Sequence, residues 1–141
     1  MNTPDNDQPG ATVFRLDELK VYERGGGART TPLVTPAVGA PPFITGYTSF
    51  DPGTAIPFHS HNCQESVVLI EGEAMIDIEG QASQRLKAHD ATFIQPNISH
   101  RFRNLSDTQP MKILWIYASP QATRTLTETG ITNPVAMEHK Q

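Results

Sequence analysis

The stretch Gly53–Gly72, GTAIPFHSHNCQESVVLIEG, decides how the rest of the chain is read. Gly53, His59, His61, Glu65 and Gly72 stand in one frame, G-x5-H-x-H-x3-E-x6-G, and a further histidine, His100, follows inside HDATFIQPNISHRFRN. On a β-strand residues i and i+2 share a face, so His59 and His61 project together. Continued alternation through QESVVLIEG can bring Glu65 to the same side. Imidazole nitrogens and a carboxylate oxygen suit a borderline divalent ion such as Fe, Mn, Ni, Zn or Co. His59, His61, Glu65 and His100 are therefore expected to hold one divalent transition metal, with positions left open for a substrate. Three of the five histidines are committed to this set. The same parity puts Cys63 on the ligand side, as a soft extra ligand, a redox-sensitive thiol or a small packing residue.

Outward from this stretch the chain reads as short strands separated by turns. TTPLVT and FITGYTSF precede the turn signal Asp51-Pro52-Gly53. ESVVLIEG and EAMIDIEG flank Glu71-Gly72, which reads as a hairpin turn. In EAMIDIEG, Ala74, Ile76 and Ile78 alternate with Met75, Asp77 and Glu79, the pattern of a half-buried strand. HRFRN places His100 and Phe102 on one face and Arg101 and Arg103 on the other, toward solvent or a partner. KILWIYAS is the last long strand. No amphipathic helix longer than about two turns is visible before Pro120, and many short strands at regular spacing imply an all-β sandwich or closed barrel. Residues 1–12 read as a disordered tail, 13–119 as the barrel domain, and 120–141 as a C-terminal arm or tail with little strand pattern. His89 is expected in a turn and His139 in the tail.

The frame from Gly53 to Gly72 resembles the first motif of the cupin family in every defined position. The segment His89–Asn104 is similar to the second, G-x5-P-x-G-x2-H-x3-N, with His100 and Asn104 in place. It departs at three turn positions: His89 and Asn97 replace glycines, and Gln95 occupies the proline position, with Pro96 one place later. The resemblance implies a small single-domain cupin, a double-stranded β-helix or jelly-roll barrel. It also implies that the four ligand candidates sit inside the barrel near one mouth.

Pocket walls are sought among Phe50, Phe58, Phe93, Gln95, Phe102, Trp115 and Tyr117, with Gln95, Phe102, Phe93 and Trp115 taken as the substrate-binding set. Phe102 shares the parity of His100. For ATFIQP either Phe93 with Gln95 or Thr92 with Ile94 faces inward, and for KILWIYAS either Trp115 with Tyr117 or Leu114 with Ile116. VVLI and KILWIY are apolar on both faces, and the outer one needs a cover. A homodimer is expected from this and from the habit of small cupins.

Composition limits the partners. At 141 residues the chain is about one domain long, and its net charge of −4 comes with no basic block for nucleic acid. The apolar runs are far too short for a membrane span. The polar N-terminus lacks the pattern of a signal peptide, and the single cysteine excludes an internal disulfide, so a cytoplasmic location is expected. The expected activity is that of a metal-dependent enzyme on a small polar organic substrate, dioxygenase-like or a lyase, isomerase or decarboxylase. The alternative is a non-catalytic sensor or carrier of a metal or small ligand.

Overall fold

A computed structural model describes residues 6–8, 10–39 and 41–139. Its strands are β1 (Asn6–Gln8), β2 (Ala11–Val13), β3 (Tyr22–Gly25), β4 (Ala28–Pro32), β5 (Ile44–Phe50), β6 (His59–His61) and β7 (Glu65–Glu71). They continue with β8 (Glu73–Ile78), β9 (Gln84–Lys87), β10 (Ala91–Ile94), β11 (His100–Asn104), β12 (Met111–Tyr117), β13 (Thr123–Leu126) and β14 (Thr132–Pro134). Two six-stranded antiparallel sheets form, in the orders β10-β7-β12-β5-β4-β3 and β14-β13-β6-β11-β8-β9, and β1 and β2 make a separate hairpin. This is the all-β jelly-roll expected. Among the described residues no helix is long and apolar enough to cross a membrane.

Period-2 alternation builds the interior. In β5, β7 and β12 every second residue is buried, so Phe50, Val67, Leu69, Ile113 and Trp115 meet Ile76 and Phe102 from the other sheet. Full burial of one such side chain stabilises by roughly 1.5–3 kcal/mol. The open parity of KILWIYAS resolves with Ile113, Trp115 and Tyr117 inside and Leu114 and Ile116 half-buried outside. Gly46 makes this possible, since a Cβ there would stand 2.3 Å from the Trp115 ring.

Three expectations need correction. Gly72 does not close a hairpin: β7 and β8 belong to different sheets, and the chain changes sheet at this point. Gly72 has φ +93°, and a Cβ would lie 2.7 Å from the Pro110 carbonyl oxygen, so the corner requires glycine. The tail expected over 1–12 is, at residues 6–8 and 11–12, part of the β1–β2 hairpin; residues 1–5 and 9 lie outside those described. The stretch after 119 is folded onto its own barrel, where β13 pairs with β6 and β14 with β13. Its half-buried and exposed residues show no alternation, which hid these strands in the sequence.

The departures from the second motif are accommodated in the backbone. His89 (φ 79°) and Asn97 (φ 66°) are the non-glycine residues with positive φ among those described. They occupy the two positions where the motif carries glycine. Asn104, the motif's last residue, is buried and acts as a clasp. Its Nδ2 donates toward the carbonyls of Phe50, Asp51 and Gln109, and its Oδ1 accepts from the Ser106 amide.

Candidate metal centre

Three imidazoles meet between the sheets. His59 and His61 come from β6, and His100, the first residue of β11, lies directly across the ladder from His59. Opposed residues of antiparallel strands share a face, so strand pairing delivers His100 to the other two. The ring centroids are 4.5 Å (His59–His100), 4.9 Å (His59–His61) and 5.8 Å (His61–His100) apart. One ring nitrogen from each histidine lies within 4.8 Å of the others, and all three residues are buried.

Each ring is held from behind. His59 Nδ1 is 2.9 Å from the Pro57 carbonyl oxygen, His61 Nδ1 2.9 Å from that of Thr123, and His100 Nδ1 2.8 Å from that of Ile98. A carbonyl can only accept, so Nδ1 carries the proton in each ring and Nε2 keeps its lone pair for the interior of the cluster.

Glu65 completes the group from the opposite sheet, as the first residue of β7. Strand parity is therefore not what brings it to the histidines. β6 ends at His61, and the chain changes sheet before Glu65. Glu65 Oε1 lies 2.6 Å from His100 Nε2, and Oε2 lies 3.3 Å from His61 Nε2. The short approach lacks hydrogen-bond alignment: Glu65 Oε1 and His100 Nε2 are both fully buried without a hydrogen-bond partner. Buried polar atoms are nearly always paired. Donor atoms aimed at shared space instead are what a ligand set requires, and three imidazoles with one carboxylate fit a first-row divalent ion.

The electrostatics agree. Burial, then the neighbouring His100 and His61, pushes His59 well below its ordinary value, so it stays neutral. Burial also pushes His100 down, but the Glu65 carboxylate and the Ile98 carbonyl outweigh it, and the net shift is upward. A metal would displace the proton that Glu65 favours on His100. Cys63 is not in the cluster. It packs against the apolar core, and burial raises its thiol pKa.

A cavity of about 20 Å³ lies against His59 and Glu65, enough for one water-sized group. Phe102 and Trp115 line it, together with Phe50 and Tyr117. Tyr117 stacks on Trp115 at 4.9 Å and lies 4.4 Å from the His61 ring. Phe93 and Gln95 do not line it. Phe93 is 63% exposed, and Gln95 sits outside, accepting from Gln64 Nε2 at 3.1 Å. In β10 it is Ile94 that packs into the core, so the inward parity is the Thr92–Ile94 alternative. Phe58 lies outside too, under the Arg101 guanidinium at 4.6 Å. It lines a separate cavity of about 560 Å³, which none of the three histidines lines. Sequence reasoning missed Arg24, Arg124 and Thr48, which also line the interior cavity. β13 and β3 showed no alternation from which to find the arginines.

The profile of the cupin domain family (Cupin_2) matches residues 46–117, which span the HxH pair, Glu65 and His100. The chain belongs to the cupin family. It is 34% identical over 111 residues to the polyketide synthase CurC of Streptomyces cyaneus, covering 78% of this chain and 70% of that protein. Among solved structures it is similar to a cupin 2 domain-containing protein from Halorhodospira halophila, with 28% identity, a TM-score of 0.62 and coverage of 69% and 68% of the two chains. The polyketide cyclase RemF from Streptomyces resistomycificus shares the fold at a TM-score of 0.71 and 16% identity, covering 89% of this chain and 85% of that one.

Proposed function

We propose that this cupin is a mononuclear metal enzyme in which His59, His61, Glu65 and His100 hold one divalent first-row ion. Its substrate is then an oxygen-rich small molecule with an enolisable carbonyl, of the polyketide type. The observation that carries the reading is the convergence of back-anchored imidazoles on Glu65, with Glu65 Oε1 and His100 Nε2 buried and lacking hydrogen-bond partners. The 34% identity to CurC supports the substrate class. When bound, such an ion supplies Lewis-acid polarisation of a carbonyl or enolate oxygen. The chain's own part is to orient the imidazoles from behind and keep His59 neutral, to exclude water with Phe102, Trp115 and Tyr117, and to position the substrate against these walls.

The tightness of the interior, about 20 Å³, favours a second reading in which the metal is sealed and the barrel is a carrier or sensor. Elemental analysis of the purified protein, followed by assays with β-diketones and poly-β-keto substrates, tests both. About one metal per chain with turnover supports the enzyme. The same metal without turnover or exchangeable ligand supports the sealed site, and absence of metal after reconstitution overturns both. Oxygen uptake in the same assay separates dioxygenase chemistry from oxygen-independent isomerisation, lyase or decarboxylase reactions.

We also propose a homodimer through the outer face of the first sheet, where half-buried Val68, Ile70, Leu114 and Ile116 run beside exposed Phe93. A monomer mass by light scattering at micromolar concentration would refute it.

A further inference from the structure

The interior cavity beside His59 and Glu65 is about 20 Å³, room for one water-sized group, so an organic substrate needs a way in. Two residues of its lining, Arg24 and Arg124, also line an outer groove of about 390 Å³. One rim of that groove is β3, with Glu23 and Arg24. The other rim is the C-terminal arm, with Arg124, Leu126, Asn133 and Met137. The groove and the interior therefore share a wall along the seam between β3 and the arm.

The arm bridges the two sheets. β13 pairs with β6 of the second sheet: Arg124 lies opposite His61 and faces the histidines, and the Thr123 carbonyl anchors the His61 ring. Beyond the turn at Gly130, β14 pairs with β13, and a short 3₁₀ helix, Val135–His139, rests against β3 and β4 of the first sheet. This outer half is lightly held. From Thr127 to Met137 every residue is exposed except Val135, which is fully buried in the core. The Val135 amide donates to the Ala122 carbonyl at 2.9 Å, and Thr125 Oγ1 and Thr132 Oγ1 lie 2.7 Å apart at the surface. Gly130 turns at φ +73° in open space. A segment with few buried apolar contacts opens at a fraction of the cost of global unfolding, and active-site lids are drawn from such segments.

We propose that residues 131–139 are a strap closed over the metal centre, with Val135 as its latch, and that substrate enters along the seam with β3 when the strap lifts. β13 stays on β6 meanwhile, so His61 keeps its anchor while access changes. Lifting takes Asn133 and Met137 off the groove. Arg24 and Arg124 then face solvent, exchange their contacts within the chain for water and swing aside. The inference rests on the metal reading above and supplies its access step: the closed state has room for one water-sized group, and the open state joins that space to the groove.

The test reads opening and access separately. In the metal-free full chain, amide hydrogen exchange followed by NMR should show the amide at position 135 exchanging about tenfold or more faster than those at the centres of β7 and β12. V135A, which removes two buried methyl groups, should raise that rate by roughly a further tenfold. T125C/T132C in a C63S background should slow it by about tenfold or more when oxidised, and reduction should restore it. In the manganese-loaded chain, stripping by excess EDTA should follow the same order, fastest in V135A and slowest in the oxidised cross-link. Exchange at position 135 no faster than in β7 and β12, or a stripping rate that ignores the cross-link, overturns the strap. Failure of the wild-type chain to bind manganese overturns the metal reading instead, and exchange at position 135 still decides whether the strap lifts.

Discussion

Strand β11 carries two charged clusters back to back, and they are satisfied in opposite ways. On its outer face Arg101 and Arg103 converge on Asp77 of β8. Arg101 Nε lies 2.8 Å from Asp77 Oδ2, Arg103 Nε 2.6 Å from the same oxygen, and Arg103 Nη2 3.0 Å from Oδ1. Ser83 Oγ adds a short bond to Oδ1. Asp77 is buried, yet both its oxygens are fully engaged, and the Arg103 hydrogen bond above all depresses its pKa strongly. On the inner face, one residue away, His100 Nε2 and Glu65 Oε1 lie close together with no hydrogen-bond partner. The outer cluster closes upon itself and ties β11 to β8. The inner one is left open toward a common point, at a cost to the bare protein that a bound ion would offset. Both clusters are buried and charged, so the distinction between them lies in which atoms remain unsatisfied.

The comparison can be broken most severely at the inner cluster. H61A/H100A is expected to drop metal content from about one per chain to none while the circular dichroism stays β-rich. Stoichiometric metal in that variant would show the ligand assignment to be wrong. Next in size is G72A, which forces a Cβ against the Pro110 carbonyl at a positive φ. A loss of several kcal/mol is expected by denaturant titration, on the order of the larger core and strain effects.

D77N should cost about 1–3 kcal/mol, the range for an unmet polar group, and leave metal content unchanged. A fall in metal content would mean that the two faces of β11 are coupled. Because Asp77 is depressed when folded, its contribution is present above the ordinary aspartate pKa and is lost as pH falls through the folded value. The metal site has a different pH signature. His100 is shifted upward in the bare protein, so its proton competes with metal, and affinity should rise with pH through and somewhat above the ordinary histidine range. Manganese affinity measured between pH 5.5 and 8.5, roughly the span around that value, checks this. A flat profile would remove His100 from the ligand set. Smallest of all, Q95A should shift stability by no more than about 0.5 kcal/mol and leave metal content alone, since Gln95 bonds only at the surface.

Much of the site was legible. His59 and His61 share a strand, and a period of two fixes their common face whatever surrounds them. The inward placement of Phe102 followed from the same rule applied at His100. Glu65 was found at the histidines for a reason the frame does not contain, because the chain changes sheet between His61 and Glu65 and parity cannot run through that break. Cys63, judged by the same parity, is half-buried and packs against the core instead. The choice between Phe93 and Ile94 in β10, like that between Trp115 and Leu114 in β12, was undecidable locally, since each strand carries a large apolar residue on both faces and only the position of the second sheet says which is inside.

The sequence by itself determined the all-β class, the candidate donor residues and the two turn positions at His89 and Asn97, because alternation, donor chemistry and left-handed tolerance are properties of short segments. Tertiary structure alone decided that Thr123 would anchor His61 and that Arg124 would face the histidines, with Arg24 arriving from the opposite sheet. Those residues lie far from the motif in sequence, and only the pairing of β13 with β6 and the closure of two sheets bring them to it.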